Sequence, residues 1–184
     1  VADALGAAAK AGVIHQDVKP ENILVDESVP VSPDGAPKIK LSDFGVGRVV
    51  NEEVLGKLAL TGFGKSVVLT APTGSESGTL LYMAPERLER KPATPQSDLY
   101  SLGVVLFQMV AGDLDRAVTL DWESEVPDPT LQGDLRKVLA VTPERRIASG
   151  AEFASRMRSW ALRRRMRGVK RVVVSACRML ATAL

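Results

Sequence analysis

The chain has 184 residues, 45% of them hydrophobic and 25% charged. That length and balance support one globular domain with its own core and exclude a disordered or fibrous chain. Aromatic residues make up 4% and Cys177 is the lone cysteine, so the core is expected to be aliphatic and an internal disulfide is excluded. The net charge of +2 conceals an asymmetry, because residues 144–184 carry eleven Lys and Arg against two Glu, or +9, leaving −7 on residues 1–143.

Taken in chain order, "ADALGAAAKAG" sets Val1, Ala4, Leu5 and Ala8 at helical spacing, with Gly12 as a stop. No cationic and apolar leader opens the chain, and the helix lacks a cap before it. The expectation is a piece of something longer, with no secretory signal. Next comes "IHQDVKPENILV", Ile14 to Val25, a polar loop running into a short apolar strand. "PVSPDGAP" is a turn, and "KIKL" alternates as a half-buried strand does. Together they predict a β-hairpin with polar stretches at both ends. Residues 44–85 are rich in glycine and hydroxyls without clear periodicity, the mark of a long functional loop. "QSDLYSLGVVLFQMVAG" is apolar on every face yet too short to span a bilayer, which predicts a buried central helix. Leu131, Leu135, Val138 and Leu139 mark another helix. Ser149 and Glu152 read as a capping box opening a last helix with Phe153, Met157 and Trp160 on one face. The fold class expected is α+β, mainly α.

"RRRMRGVKR" concentrates the basic excess, and "VVVSACRMLATAL" follows it. No aromatic residues interleave the charges, so no specific nucleic-acid partner is expected. This mostly apolar stretch is only thirteen residues long and contains Arg178, too short for a span, which needs about 20. Membrane contact is expected only through this tail.

Asp17, Lys19 and Asn22 stand at n, n+2 and n+5, and Asp43 sits in "LSDFGVG" beyond the second strand. In an extended loop Asp17 and Lys19 face one cleft, Pro20 stiffens the turn to Asn22, and the hairpin can hold Asp43 beside Asn22. A carboxylate and an amide oxygen are hard ligands suited to Mg²⁺ carrying a polyphosphate. Lys19 can neutralise a transferring phosphoryl group, and Asp17 can accept the proton of a hydroxyl. This is chemistry for phosphoryl transfer to an alcohol.

"HQDVKPEN", "DFG" and "GTLLYMAPER" resemble the catalytic loop, metal loop and activation-segment end of the eukaryotic-type (Hanks-type) protein kinases, in the same order. "QSDLYSLGVVLFQMVAG" resembles that family's central helix, and "TPERRIA" its late arginine motif. Lys19 and Thr79 are similar to the serine/threonine branch rather than the tyrosine branch. The resemblance covers Val1 to about Arg165. It implies a kinase-like large lobe, a helical bundle around a buried central helix, over residues 1–165, with 166–184 as a juxtamembrane or linker tail. It implies ATP and Mg²⁺ as cofactors, Ser/Thr-bearing protein substrates, and a cytoplasmic setting, including the cytoplasmic part of an anchored protein. It assigns Asp17 as catalytic base, Lys19 as γ-phosphate contact, and Asn22 and Asp43 as metal ligands. Thr79 braces Asp17 and Lys19. Glu86 pairs with Arg146, Asp98 accepts catalytic-loop N–H groups, and His15 packs under Phe44.

Three departures qualify the resemblance. Gln16 stands where the family usually has an arginine that pairs with an activating phosphate, and an amide cannot make that bidentate contact. The family's small lobe, with its glycine-rich strands and lysine, does not precede Val1 here, so the chain alone is expected to be inactive without that partner lobe. Residues 112–135 also depart from the family's usual insert. The alternative reading is a non-catalytic, pseudokinase-like signalling module. "ALTGFGKS" fits a relaxed P-loop but lacks the flanking strand and helix, and Ser66, Thr70 and Thr73 read instead as modifiable activation-segment hydroxyls.

Overall fold

A computed structural model describes residues 1–26, 38–44, 48–49 and 80–166. The turn at 27–37, Thr79, the activation-segment hydroxyls, the P-loop-like stretch and the tail at 167–184 lie outside the described residues.

Helix α3, Pro95–Ala111, is the axis of the fold. Pro95 occupies its first position, where a missing N–H costs nothing. Thr94 and Ser97 form a reciprocal cap, and Gly112 closes the helix at φ 76°, a left-handed backbone that glycine adopts without strain. Its buried residues lie on several faces, from Asp98 and Leu99 through Val104, Val105, Phe107 and Gln108. That pattern marks a helix enclosed by others rather than laid on a surface.

Helix α4, Pro129–Val138, is capped by the Asp128 carboxylate, which accepts from the Thr130 and Leu131 N–H groups. Leu131, Leu135 and Val138 are fully buried. α4 approaches α3 so closely that a Cβ on Gly103 would stand 2.6 Å from Val138 Cγ1. Helix α5, Gly150–Met166, begins with Ser149 Oγ accepting from the Glu152 N–H. The Glu152 carboxylate reaches back to the Ala148 N–H, one residue before the expected capping-box partner. Phe153 and Trp160 are buried.

Helix α1, Ala2–Lys10, lies against α5 and α3 and buries Leu5. Gly12 turns the chain at φ 74° into strand β1, Val13–Ile14, which pairs antiparallel with β4, Arg48–Val49. Strands β2, Ile23–Asp26, and β3, Lys38–Leu41, form the expected hairpin ladder, with Ile23 opposite Leu41, but β3 is not half-buried as its alternation suggested, because Lys38, Ile39 and Lys40 are all exposed. The short helix α2, Pro85–Leu88, leads toward α3.

Residues 113–126, within the stretch 112–135 expected to depart from the resembling family's insert, are held by specific contacts. A 3₁₀ turn at Trp122–Glu125 sets Trp122 edge-on to Phe107 with ring centroids 6.0 Å apart. Arg116 grips Glu125 and Arg136 grips Glu123, each through two hydrogen bonds of 2.8–3.0 Å. Gln132 Nε2 donates to the carbonyls of Glu123 and Val126. Among the described residues no helix is long and apolar enough to cross a membrane.

Glycine chemistry at two helical sites gives opposite expectations. A Cβ on Gly150 would collide with the Ala2 carbonyl oxygen and approach Gly6 N at 2.7 Å, and backbone cannot step aside as a side chain does. Gly150→Ala is expected to lower stability by about 1–3 kcal/mol. Gly133, within α4, has open space around its Cβ position. Gly133→Ala is expected to raise stability by about 0.5–1 kcal/mol, because alanine loses less backbone entropy in a helix. Urea unfolding midpoints of the two variants check both signs.

Candidate active site

The loop from His15 to Asn22 is fixed from below by one carboxylate. Asp98 Oδ2 accepts the His15 backbone N–H at 2.7 Å, and Oδ1 accepts that of Gln16 at 2.8 Å. Asp98 lies in the first turn of α3, where the helix N-terminus favours negative charge. Burial pushes its carboxyl above the usual range, and the two N–H groups offset part of that cost. Gln16 sits at φ 69°, a left-handed conformation unusual for a side-chain-bearing residue.

His15 is completely buried. Its Nδ1 accepts from the Asp17 N–H at 3.3 Å, so the other nitrogen, Nε2, is the one that donates to the Ser42 carbonyl at 2.8 Å. Its ring meets Phe44 edge-on at 4.5 Å between centroids. The histidine therefore ties the loop to the segment that carries Asp43.

Asp17 is the centre of the polar cluster. Lys19 Nζ stands 3.0 Å from Asp17 Oδ2. Asn22 Nδ2 donates to the same oxygen at 3.0 Å and to the Asp17 carbonyl at 2.7 Å. Asn22 closes the 3₁₀ turn at Pro20–Asn22 and is buried. Its carbonyl accepts the Ser42 N–H at 2.9 Å, which extends the β2–β3 ladder and brings Asp43 to the end of the hairpin next to Asn22. Asp43 is exposed and adopts φ 66°. Asp17, Lys19, Asn22 and Asp43 thus gather at one edge of the molecule, while Thr79 lies outside the described residues.

A second network supports the floor beside this cluster. Arg146 forks onto Glu86 through hydrogen bonds of 2.7 and 2.6 Å. Its remaining donors reach the carbonyls of Ala140, Gln96 and Val141, and its guanidinium lies 4.9 Å over the Tyr100 ring. Ser97 Oγ donates to Glu86 at 2.7 Å. A buried ion pair persists when such donors satisfy it completely, and removing one partner strands the other. Burial raises the Glu86 carboxyl, but the Arg146 and Ser97 hydrogen bonds outweigh burial and hold it below the usual range.

Between the two networks runs a cleft walled by Gln16, Asp17 and Val18 on one side and by Tyr82, Met83 and Arg87 on the other. Burial and the nearby Glu21 and Asp115 carboxylates push the Tyr82 phenol up to about 12. Its O–H donates to the Leu114 carbonyl at 3.3 Å, which joins this wall to the 113–126 segment.

The protein kinase domain model matches residues 1–119. This chain belongs to the protein kinase family. Similar proteins include the serine/threonine-protein kinase PkaB of Streptomyces coelicolor, 34% identical over 173 residues, which is 86% of this chain and 37% of that protein. The serine/threonine-protein kinase PknA of Mycobacterium tuberculosis is 34% identical over 164 residues, 82% of this chain and 33% of that protein. The probable serine/threonine-protein kinase pknA2 of Bifidobacterium longum is 30% identical over 171 residues, 84% of this chain and 20% of that protein. This kinase-family chain therefore matches between a fifth and about two fifths of the length of these relatives.

Several contacts of this site have no local signal in the sequence. The Ser97 hydroxyl on Glu86 and the Asn22 bridge to Asp17 are side-chain placements that only the folded helix and turn define. The Arg87 wall of the cleft was legible only as part of "APER".

The Glu86–Arg146 pair gives a pH expectation. A carboxyl held below its ordinary value of 4.5 contributes its full stability above that pH and loses it as pH falls through the depressed folded value. Unfolding midpoints followed from neutral pH to below about pH 4.5 are expected to fall more steeply in the parent than in Glu86→Gln. At neutral pH, Arg146→Ala is expected to cost about 3–5 kcal/mol by leaving Glu86 buried and unpaired.

Proposed function

We propose that this chain is the large lobe of a serine/threonine protein kinase which, joined to a small lobe of the same full-length protein, transfers the ATP γ-phosphate to Ser and Thr hydroxyls of proteins. The observation that carries the reading is the single Asp17 oxygen shared by Lys19 Nζ and Asn22 Nδ2, at the end of the hairpin that brings Asp43 alongside. In this reading residues 1–165 form the lobe. Residues 166–184 form a tail that links or anchors it, and the lobe works in the cytoplasm.

Asp17 orients the substrate hydroxyl and accepts its proton. Lys19 holds the Asp17 carboxylate in place before the substrate enters, and its ammonium faces the transferring phosphoryl group afterwards. Asn22 commits its Nδ2 to Asp17, which leaves Oδ1 as its metal donor. Asp43, exposed at the end of the hairpin, supplies the carboxylate. Two hard donors suit Mg²⁺, which keeps waters and takes its remaining ligands from substrate phosphates. When bound, the Mg²⁺–ATP pair supplies the phosphoryl group and neutralises its charge. Thr79 braces Asp17 and Lys19 in the family's arrangement. Gln16 gives its backbone N–H to Asp98 and offers no side-chain cation to an activating phosphate, so catalysis in this chain does not depend on that switch.

The two acids serve different steps, and this makes the reading testable in a protein that carries both lobes. Asp43→Asn is expected to weaken both Mg²⁺–ATP binding and turnover. Asp17→Asn is expected to leave nucleotide affinity nearly unchanged and to lower kcat by roughly 10²–10⁴, the usual worth of a positioned base. Calorimetric titration and phosphorylation of Ser/Thr peptides read the two quantities separately. Absence of transfer in the parent, or indifference to Asp17→Asn, would make the lobe a non-catalytic signalling module.

A further inference from the structure

The cleft beside Asp17 contains three charged groups, Asp17, Asp98 and Arg87. Two of them are already answered. Asp17 is paired with Lys19 at 3.0 Å, and Asp98 is buried with two backbone N–H donors on its oxygens. Arg87 is different. It is half-buried, and its one described hydrogen bond is from Nη1 to the Lys91 carbonyl at 2.6 Å. Among the described residues no carboxylate forms an ion pair with it. The Asp98 carboxylate acts on it electrostatically, but among the described residues only the Lys91 carbonyl accepts from it, so the guanidinium keeps donor N–H groups to spare.

We infer that Arg87 reads an acidic side chain of the substrate, so that the cleft favours Ser/Thr peptides carrying Asp or Glu close to the residue that is phosphorylated. The inference rests on the proposed kinase function and names a substrate class for it. A guanidinium half-removed from water binds a carboxylate in a bidentate, charge-assisted fashion. The closeness of Arg87 to Asp17 within one cleft limits the effect to positions adjoining the reacting hydroxyl.

The surroundings sharpen this limit. Next to Arg87, Lys91 is paired with Glu89 at 2.6 Å, and Arg90 is exposed with no ion pair among the described residues, so the stretch 87–91 carries an excess of positive charge. Elsewhere on the cleft wall the Tyr82 hydroxyl donates to the Leu114 carbonyl, and the Glu21 and Asp115 carboxylates act on it electrostatically. The acid preference therefore belongs to the Arg87 end and not to the cleft as a whole.

Two experiments test this, one of which needs no catalysis. In the first, fluorescent Ser-containing peptides, each with one Asp, Asn or Lys scanned across the flanking positions, are titrated into the 184-residue chain and followed by anisotropy. At one or two positions the Asp peptide is expected to bind roughly tenfold more tightly than its Asn counterpart, about 1.4 kcal/mol. That ratio is expected to collapse toward one in Arg87→Gln, to survive in part in Arg87→Lys, and to invert in favour of Lys in Arg87→Glu. In the second, the same peptides are phosphorylated by the two-lobed protein, and the ratio of kcat/KM for Asp over Asn peptides is compared between parent and variants. Equal binding of Asp and Asn peptides, or a ratio unmoved by Arg87→Glu, would overturn the inference. Charge-selective binding in the first experiment with no transfer in the second would sustain the Arg87 site and overturn the kinase reading alone.

Discussion

One buried carboxylate sets the position of everything at the active edge. Asp98 takes the N–H groups of two consecutive residues, His15 and Gln16, on its two oxygens. Two adjacent N–H groups can converge on one carboxylate only if the chain turns sharply, and the turn is paid in the left-handed backbone of Gln16. A left-handed residue with a side chain costs about 1–2 kcal/mol. Hydrogen bonds to a charged group each return about 1.5–3 kcal/mol. The turn is thus held by the contact that requires it, and Asp17 follows directly from it.

Neighbouring residues of α3 divide the supporting work. Ser97 donates to Glu86 and so reaches the Glu86–Arg146 pair, while Asp98 holds the loop of Asp17. Both lie in the capped first turn of a helix packed by α1 and α4. Rigidity at the site is therefore inherited from close helix contacts such as Gly103 against Val138. At the buried Arg146–Glu86 pair the guanidinium meets the Glu86 carboxylate, three backbone carbonyls and the Tyr100 ring, while Ser97 donates to Glu86. The loop of Asp17 and the cleft floor are thus two attachments to one helix end.

Much of this was legible in the residues. The all-round apolar run predicted the buried α3, and alternation predicted the β2–β3 ladder. Motifs resembling the kinase family pointed to the loop of Asp17, Lys19 and Asn22, which lies within the residues 1–119 that the protein kinase domain model matches. Other features had no local signature. β1 and β4 are two residues each, too short for a period, and they pair far apart in sequence, Ile14 with Arg48 and Val13 with Val49. The Gly6–Gly150 approach joins helices at opposite ends of the described chain, and neither glycine is marked by its neighbours. Residues 113–126 read as a departure from a pattern, yet two arginine–carboxylate forks and Trp122 against Phe107 order them. Such contacts depend on which surfaces meet, and a linear pattern describes only one surface at a time.

The central claim, that Asp98 holds the loop of Asp17 in place, is most directly tested by amide hydrogen exchange at His15 and Gln16. Both N–H groups are expected to exchange as slowly as those of α3, although they belong to a loop. In Asp98→Asn one acceptor oxygen becomes a donor NH₂ facing a backbone N–H, so protection is expected to fall at these two residues while α3 remains protected. Fast exchange at His15 and Gln16 in the parent, or protection unchanged by the substitution, would contradict the account.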